Sequence, residues 1–156
     1  MEKKRVLFVC THHGARSRIA ELLIQRVAPG KIDAYSSCFE PGKIGPLPIN
    51  IMREVDIELP AEAPKNVFDI YKAGGVFDYV ISLCHEATTE QCPIFKTNID
   101  ALYAKKAERI SWSVPDFKSL DGTEDEKKAG AREIRDRIFS EVISFLSEIG
   151  IEAKIT

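Results

Sequence analysis

The chain has 156 residues, 44% of them hydrophobic and 29% charged, with a formal net charge of −2 at pH 7. That length suits one domain with a real core, expected to span residues 1–156. The near-neutral charge, with Lys and Arg dispersed, gives no general attraction to nucleic acid or to a membrane surface, and no run approaches the roughly 20 apolar residues that span a bilayer. The start MEKKRVLFVC is basic, but only about five apolar residues follow, too few for the core of a signal peptide. A cytoplasmic location is expected, with the four cysteines reduced and reactive, or metal-binding, rather than in structural disulfides.

Val6 to Val9 is a short apolar run that reads as a buried strand. Ile19, Leu22, Leu23 and Val27 follow helical spacing, which predicts a helix from near Ser17. Between them lies Cys10-Thr11-His12-His13-Gly14-Ala15-Arg16-Ser17, with five residues separating the cysteine from the arginine. A loop opening into a helix N-terminus gathers unpaired N–H groups and the positive end of the helix dipole, so Thr11 to Ser17 is a candidate oxyanion cradle. Arg16 adds a planar fork of donors able to grip two anion oxygens. The same positive field is expected to lower the pKa of Cys10 and hold it as a thiolate nucleophile, with Ser17 donating a hydrogen bond to it. The plainer reading is a buried structural cysteine beside a surface arginine.

Ile32 to Ser36 reads as a second strand, and Phe39 to Leu47, with its Pro and Gly residues, as a loop. Pro48 suits the first residue of a helix through Met52 and Val55. Asn66 to Ala73 reads as a short helix stopped by Gly74-Gly75, and Val76 to Leu83 as a third strand ending at Cys84. Thr97 to Glu108 reads as a mostly polar helical insert, and Arg109 to Trp112 as a fourth strand. Thr123 with Glu126 forms a capping box for a last helix that buries Ile134, Ile138, Val142, Phe145 and Ile149. Strands alternating with helices predict a doubly wound α/β fold, in which ligands bind beyond the carboxyl ends of the strands.

Cys-x5-Arg-Ser after a first strand, with VLFVC before it and RIAELL after it, resembles the low-molecular-weight tyrosine phosphatase superfamily, which includes the thioredoxin-coupled arsenate reductases. That resemblance covers nearly the whole chain and implies a three-layer α/β/α fold with a short, about four-stranded parallel sheet. LCHEATTEQCPIF resembles the reductase version, which adds two cysteines after the third strand; here they are Cys84 and Cys92. It implies that Cys10 attacks arsenate, that Cys84 resolves the adduct as a Cys10–Cys84 disulfide, and that Cys92 moves the bond to Cys84–Cys92 for thioredoxin to reduce. Eight residues of helix would span about 12 Å, whereas a disulfide needs Cα atoms about 4.4–6.8 Å apart, so that last pairing requires a looped-out turn. Val114-Pro115-Asp116 resembles the segment that carries the superfamily's general acid, although Phe117 follows where proline is common. No bound cofactor or metal and a monomeric state are expected.

Other readings stay open. A phosphatase of the same superfamily, acting on phosphate monoesters through a Cys10 phosphocysteine, needs only the first loop and Asp116. Cys84 and Cys92 could be unreactive thiols, or bind zinc with His85 and Cys38. Cys38 stands where the superfamily has a small residue and reads as a small buried hydrophobe rather than a functional thiol. His13 replaces the asparagine that braces the superfamily's loop, His12 replaces a glycine common in the reductases, and Ala15 a cysteine. His13 could brace the anion loop or, protonated, strengthen the anion site, or both imidazoles could simply lie exposed, and an altered substrate or a non-enzymatic oxyanion binder is a further alternative.

Overall fold

Val6, Leu7, Phe8 and Val9 are all fully buried, as expected of a central strand in a parallel sheet covered on both faces. In the computed structural model, which describes residues 3–62, 64–84 and 107–154, they belong to β1 (Lys4–His13), followed by α1 (Ala15–Val27) and β2 (Ile32–Pro41). Then come α2 (Pro46–Arg53), β3 (Lys65–Asn66), α3 (Val67–Lys72), β4 (Tyr79–Cys84) and β5 (Glu108–Ser113). A 3-10 turn (Phe117–Ser119) leads to the long α4 (Glu124–Glu148). The strands form one sheet in the order β3-β2-β1-β4-β5, and every pairing is parallel.

The expected α/β class holds, with five strands where about four are expected. The additional strand is β3, whose two residues pair with Ser37 and Cys38; a strand that short carries no alternation to read. Asn66 ends it and caps α3, its side-chain oxygen accepting from Phe68 N at 2.8 Å while its amide donates to Phe39 O at 3.0 Å. The helix expected from Asn66 therefore begins one residue later. The helical insert expected over Thr97 to Glu108 lies outside the described residues up to 106, and Glu108 itself opens β5.

Alternate residues of the strands face two cores. Val6, Phe8, Cys10, Ile81 and Leu83 meet Ile19, Leu23 and Ile24 of α1, Ile51 and Met52 of α2, and Ile134, Ile138, Val142 and Phe145 of α4. Leu7, Val9, Val80 and Cys84 face the other way, toward Val67 and Phe77. The capping box at Thr123 and Glu126 is formed in both directions, and it starts α4 where the sequence places it. Ile149 lies just beyond the helix and is only partly buried, because the apolar stripe ends with the last turn. Arg132 and Arg135 of α4 reach Glu54 at 2.9 and 3.1 Å, and Arg135 also donates to Ile51 O at 3.0 Å, which ties α2 to α4. Among the described residues no helix is long and apolar enough to cross a membrane.

Candidate active site

Cys10 sits on β1 three residues before its carboxyl end, with Cys38 as its register partner in β2 and Leu83 in β4. The sequence predicts a loop from Cys10 to a helix near Ser17. Instead β1 continues through His13, with His12 opposite Glu40 and His13 opposite Pro41, and α1 begins at Ala15. Gly14 alone makes the turn, at φ 90°, and its N–H is spent on His12 O at 2.6 Å. The backbone of Thr11 to His13 thus runs along β2 rather than curling into a ring around one point.

Only glycine fits that corner. A Cβ on Gly14 would overlap the ring of Pro64, and the left-handed backbone would add about 1–2 kcal/mol of strain. Gly14→Ala is expected to destabilise the fold by roughly 2–4 kcal/mol, lowering the melting temperature by about 4–16 °C for a domain of this size; thermal unfolding followed by circular dichroism checks this, and an unchanged midpoint contradicts it.

Arg16 and Ser17 lie in the first turn of α1, and both are buried. The Arg16 guanidinium is 1% exposed, so it needs partners. Nη1 donates to Val114 O at 3.0 Å and Nη2 to Thr11 Oγ1 at 3.0 Å, and Asp116 Oδ2 stands 4.0 Å from Nη2. Arg16 therefore bolts the start of α1 to the segment after β5, and brings Asp116 to the same corner as Cys10. Asp116 also caps the 3-10 turn, its carboxylate accepting from Lys118 N at 3.4 Å and its carbonyl from Ser119 Oγ at 2.6 Å. Phe117 is buried beneath it, which is a physical reason for an aromatic residue to follow Asp116.

Ser17 Oγ lies 3.2 Å from Cys10 Sγ and donates to Gly14 O at 3.2 Å. The expected lowering of the Cys10 pKa is reversed: burial pushes the thiol up, and this outweighs the opposing pull of Arg16 and of the Ser17 hydrogen bonds. The charges that the sequence shows are present. What it does not show is complete removal of Cys10 from water, which outweighs even the Ser17 peptide N–H aimed at the sulfur.

His12 Nδ1 makes a 2.9 Å contact with Glu40 Oε2, with the imidazole 37% exposed. The exposure expected of His12 is therefore partial, because Glu40 across the β1–β2 pairing holds the ring. The side chain of His13 is outside the description. Glu21, buried behind the corner, accepts from Arg18 at 3.2 Å and Ser36 Oγ at 2.5 Å.

Cys84 ends β4, one residue beyond Cys10's partner Leu83, and therefore points to the opposite face of the sheet. It is disulfide-bonded, whereas Cys10 and Cys38 are free. Cys92 and His85, on which the relay and the zinc reading turn, lie outside the described residues. The described structure thus brings Cys10, Thr11, Arg16, Ser17 and Asp116 into one corner, with Cys84 at the adjacent strand end.

Residues 5–154 match the low molecular weight phosphotyrosine protein phosphatase family. The chain belongs to that family. It is also 30% identical over 139 residues to an arsenate reductase of Oceanobacillus iheyensis, covering 88% of this chain and 91% of the relative. A solved arsenate reductase in its oxidised state superimposes with a TM-score of 0.73 at 24% identity, covering 94% of this chain and 98% of that one. A thioredoxin-dependent arsenate reductase of Corynebacterium glutamicum gives a TM-score of 0.62 at 23% identity, covering 95% of this chain and 62% of the other.

Several residues at the corner escape a reading of the family motif. Val114 contributes a carbonyl, which no residue type signals. Pro64 fills the space above Gly14 from a stretch, AEAPKN, that carries no pattern. Glu40 meets His12 only because β2 runs five residues beyond Ser36, into the stretch from Phe39 expected to be a loop. Thr11 falls within the motif, but as a partner of Arg16 rather than as part of a ring of amides.

Proposed function

We propose that the chain is an arsenate reductase that passes a disulfide from Cys10 through Cys84 to Cys92 and is recycled by thioredoxin in the cytoplasm. The observation that carries the reading is the pair of cysteines on neighbouring strands, Cys10 on β1 and Cys84 at the end of β4, one residue apart in register, in a chain with arsenate reductases among its relatives. The family match over almost the whole length supports taking residues 1–156 as one domain.

Each step balances. The Cys10 thiolate displaces a hydroxyl from arsenate, with Asp116 donating the proton that lets it leave as water, and an S–As bond forms. Arg16 neutralises the oxyanion. The Cys84 thiolate attacks Cys10 Sγ, the S–As electron pair stays on arsenic, and arsenite leaves. Cys92 then attacks Cys84, freeing Cys10, and thioredoxin reduces the Cys84–Cys92 bond. The two electrons come from thiols, so no bound cofactor is called for.

Two features set the mechanical demands. Thr11 to His13 must leave the β2 edge for their amides to surround an anion. Cys84 must turn from the opposite face of the sheet to reach Cys10, so the end of β4 has to unpair. Oxyanion binding by residues 11 to 17 is thus coupled to opening of the strand end.

The same Cys10, Arg16 and Asp116 suffice for phosphate monoester hydrolysis, and the family name favours that as the second reading. Purified protein offered arsenate with thioredoxin, thioredoxin reductase and NADPH, beside a chromogenic phosphate ester, separates the two. Arsenate-dependent NADPH oxidation is expected; ester cleavage without it moves the assignment to a phosphatase. Asp116→Asn is expected to slow whichever leaving-group step is measured by roughly a hundredfold to ten-thousandfold while sparing anion binding, and a near-normal rate in a kinetic assay assigns the proton to another group.

A further inference from the structure

The mechanism above leaves Cys38 without a task, yet it is the thiol best placed to meet Cys10. The two residues are direct register partners on adjacent parallel strands. Paired strands lie about 4.7–4.9 Å apart, inside the roughly 4.4–6.8 Å between Cα atoms that a disulfide requires. Both side chains face the same core, whereas Cys84 faces the other one. Cys10 Sγ lies 4.0 Å from Ser37 O, the carbonyl that precedes Cys38, and Cys38 Sγ lies 3.9 Å from Pro64 O. Pro64 is also the residue packed on Gly14, so both sulfurs belong to the corner where β1 turns into α1. Both are free.

We propose that Cys38 is a trapping thiol that converts a peroxide-oxidised Cys10 into a Cys10–Cys38 disulfide. This rests on the reading of Cys10 as the reactive thiol. The oxidant is hydrogen peroxide. The Cys10 thiolate attacks the peroxide oxygen, the O–O bond breaks, hydroxide leaves, and Cys10 becomes a sulfenic acid. The Cys38 thiol then attacks that sulfur, an S–S bond forms, and its proton leaves with the sulfenic hydroxyl as water. Overall two thiols lose two electrons and one peroxide becomes two waters. Burial first, and then neighbouring Cys10, push the Cys38 thiol up to about 12; Cys38 therefore carries the proton that this second step releases. The bond stops Cys10 short of sulfinic acid, from which ordinary thiols do not rescue it. Cys84 cannot serve this purpose without first crossing to the other face of the sheet.

The test uses the full chain with Cys84→Ala and Cys92→Ala, reduced, desalted and checked for native circular dichroism. One equivalent of hydrogen peroxide is added, thiols are counted after denaturation, and peptides are mapped by mass spectrometry. Loss of both remaining thiols, with the Cys10 and Cys38 peptides joined until dithiothreitol is added, is expected. In the same background, Cys38→Ala should drive Cys10 to sulfinic acid as peroxide is raised. A Cys10 sulfenic acid captured by dimedone with Cys38 still free overturns the trap alone. An unreacted Cys10 overturns both the trap and the reactivity it rests on. Should the double variant not fold, the reduced natural chain under the same peroxide decides the matter: a Cys10–Cys38 peptide supports the proposal and its absence contradicts it.

Discussion

Cys10→Ser is expected to abolish arsenate reduction, a fall of more than about ten-thousandfold, as for other enzymes stripped of a covalent nucleophile. The substitution is nearly isosteric, and Ser17 Oγ, 3.2 Å from the sulfur, can accept from the new hydroxyl, so the fold should be retained. Loss of activity with an unchanged melting temperature is therefore the signature of lost chemistry. Arg16→Ala is a poorer probe. It removes one donor from Val114 O and one from Thr11 Oγ1, and a buried group left unsatisfied costs about 1–3 kcal/mol, so binding and stability should fall together. The raised pKa of Cys10 adds a check. With no oxyanion present, its alkylation by iodoacetamide should be slow at neutral pH and should quicken as pH rises beyond the ordinary thiol range of about 8.5. Rapid alkylation at pH 6 would show that the corner already holds a thiolate.

Removing Cys92 should have an equally large effect of a different shape. Cys92→Ala is expected to release one arsenite per chain and then stop, trapped as a Cys10–Cys84 disulfide. Thioredoxin would then face a bond at the buried corner rather than one carried away from it, and steady turnover should be lost. With Cys84 disulfide-bonded, Cys10 and Cys84 lie on opposite faces of the sheet, so a bond between them requires the β4 end to open. Amide exchange at Tyr79 to Cys84 should rise in that form relative to the reduced chain, because ladder bonds there have been given up. Sustained turnover by Cys92→Ala with thioredoxin as sole reductant contradicts the relay.

Much of the architecture can be read from the chain. Four successive buried apolar residues place β1 at the centre of the sheet, and the capping box with the stripe from Ile134 to Phe145 locates α4. The site is legible in its membership more than in its shape. Cys10, Arg16, Ser17 and Asp116 do meet, because a strand end, a helix start and the turn after β5 converge beyond the same edge. Extension of β1 through Thr11, His12 and His13 is not legible, since polar residues carry no strand signal and are held here by pairing with Glu40 and Pro41. Nor is the direction of the Cys10 shift, which depends on burial rather than on which charges are near. The opposite facing of Cys10 and Cys84 follows from a register of one residue, and register comes from the assembled sheet.

The most direct measurement needs no partner protein. Fully reduced chain is mixed with arsenate in the absence of any other reductant, quenched in acid, and assayed for arsenite and for free thiols. One arsenite per chain, with two thiols lost and Cys10 free again, is the predicted result. Unchanged thiols with no arsenite, under conditions where a phosphate ester is cleaved, would contradict it.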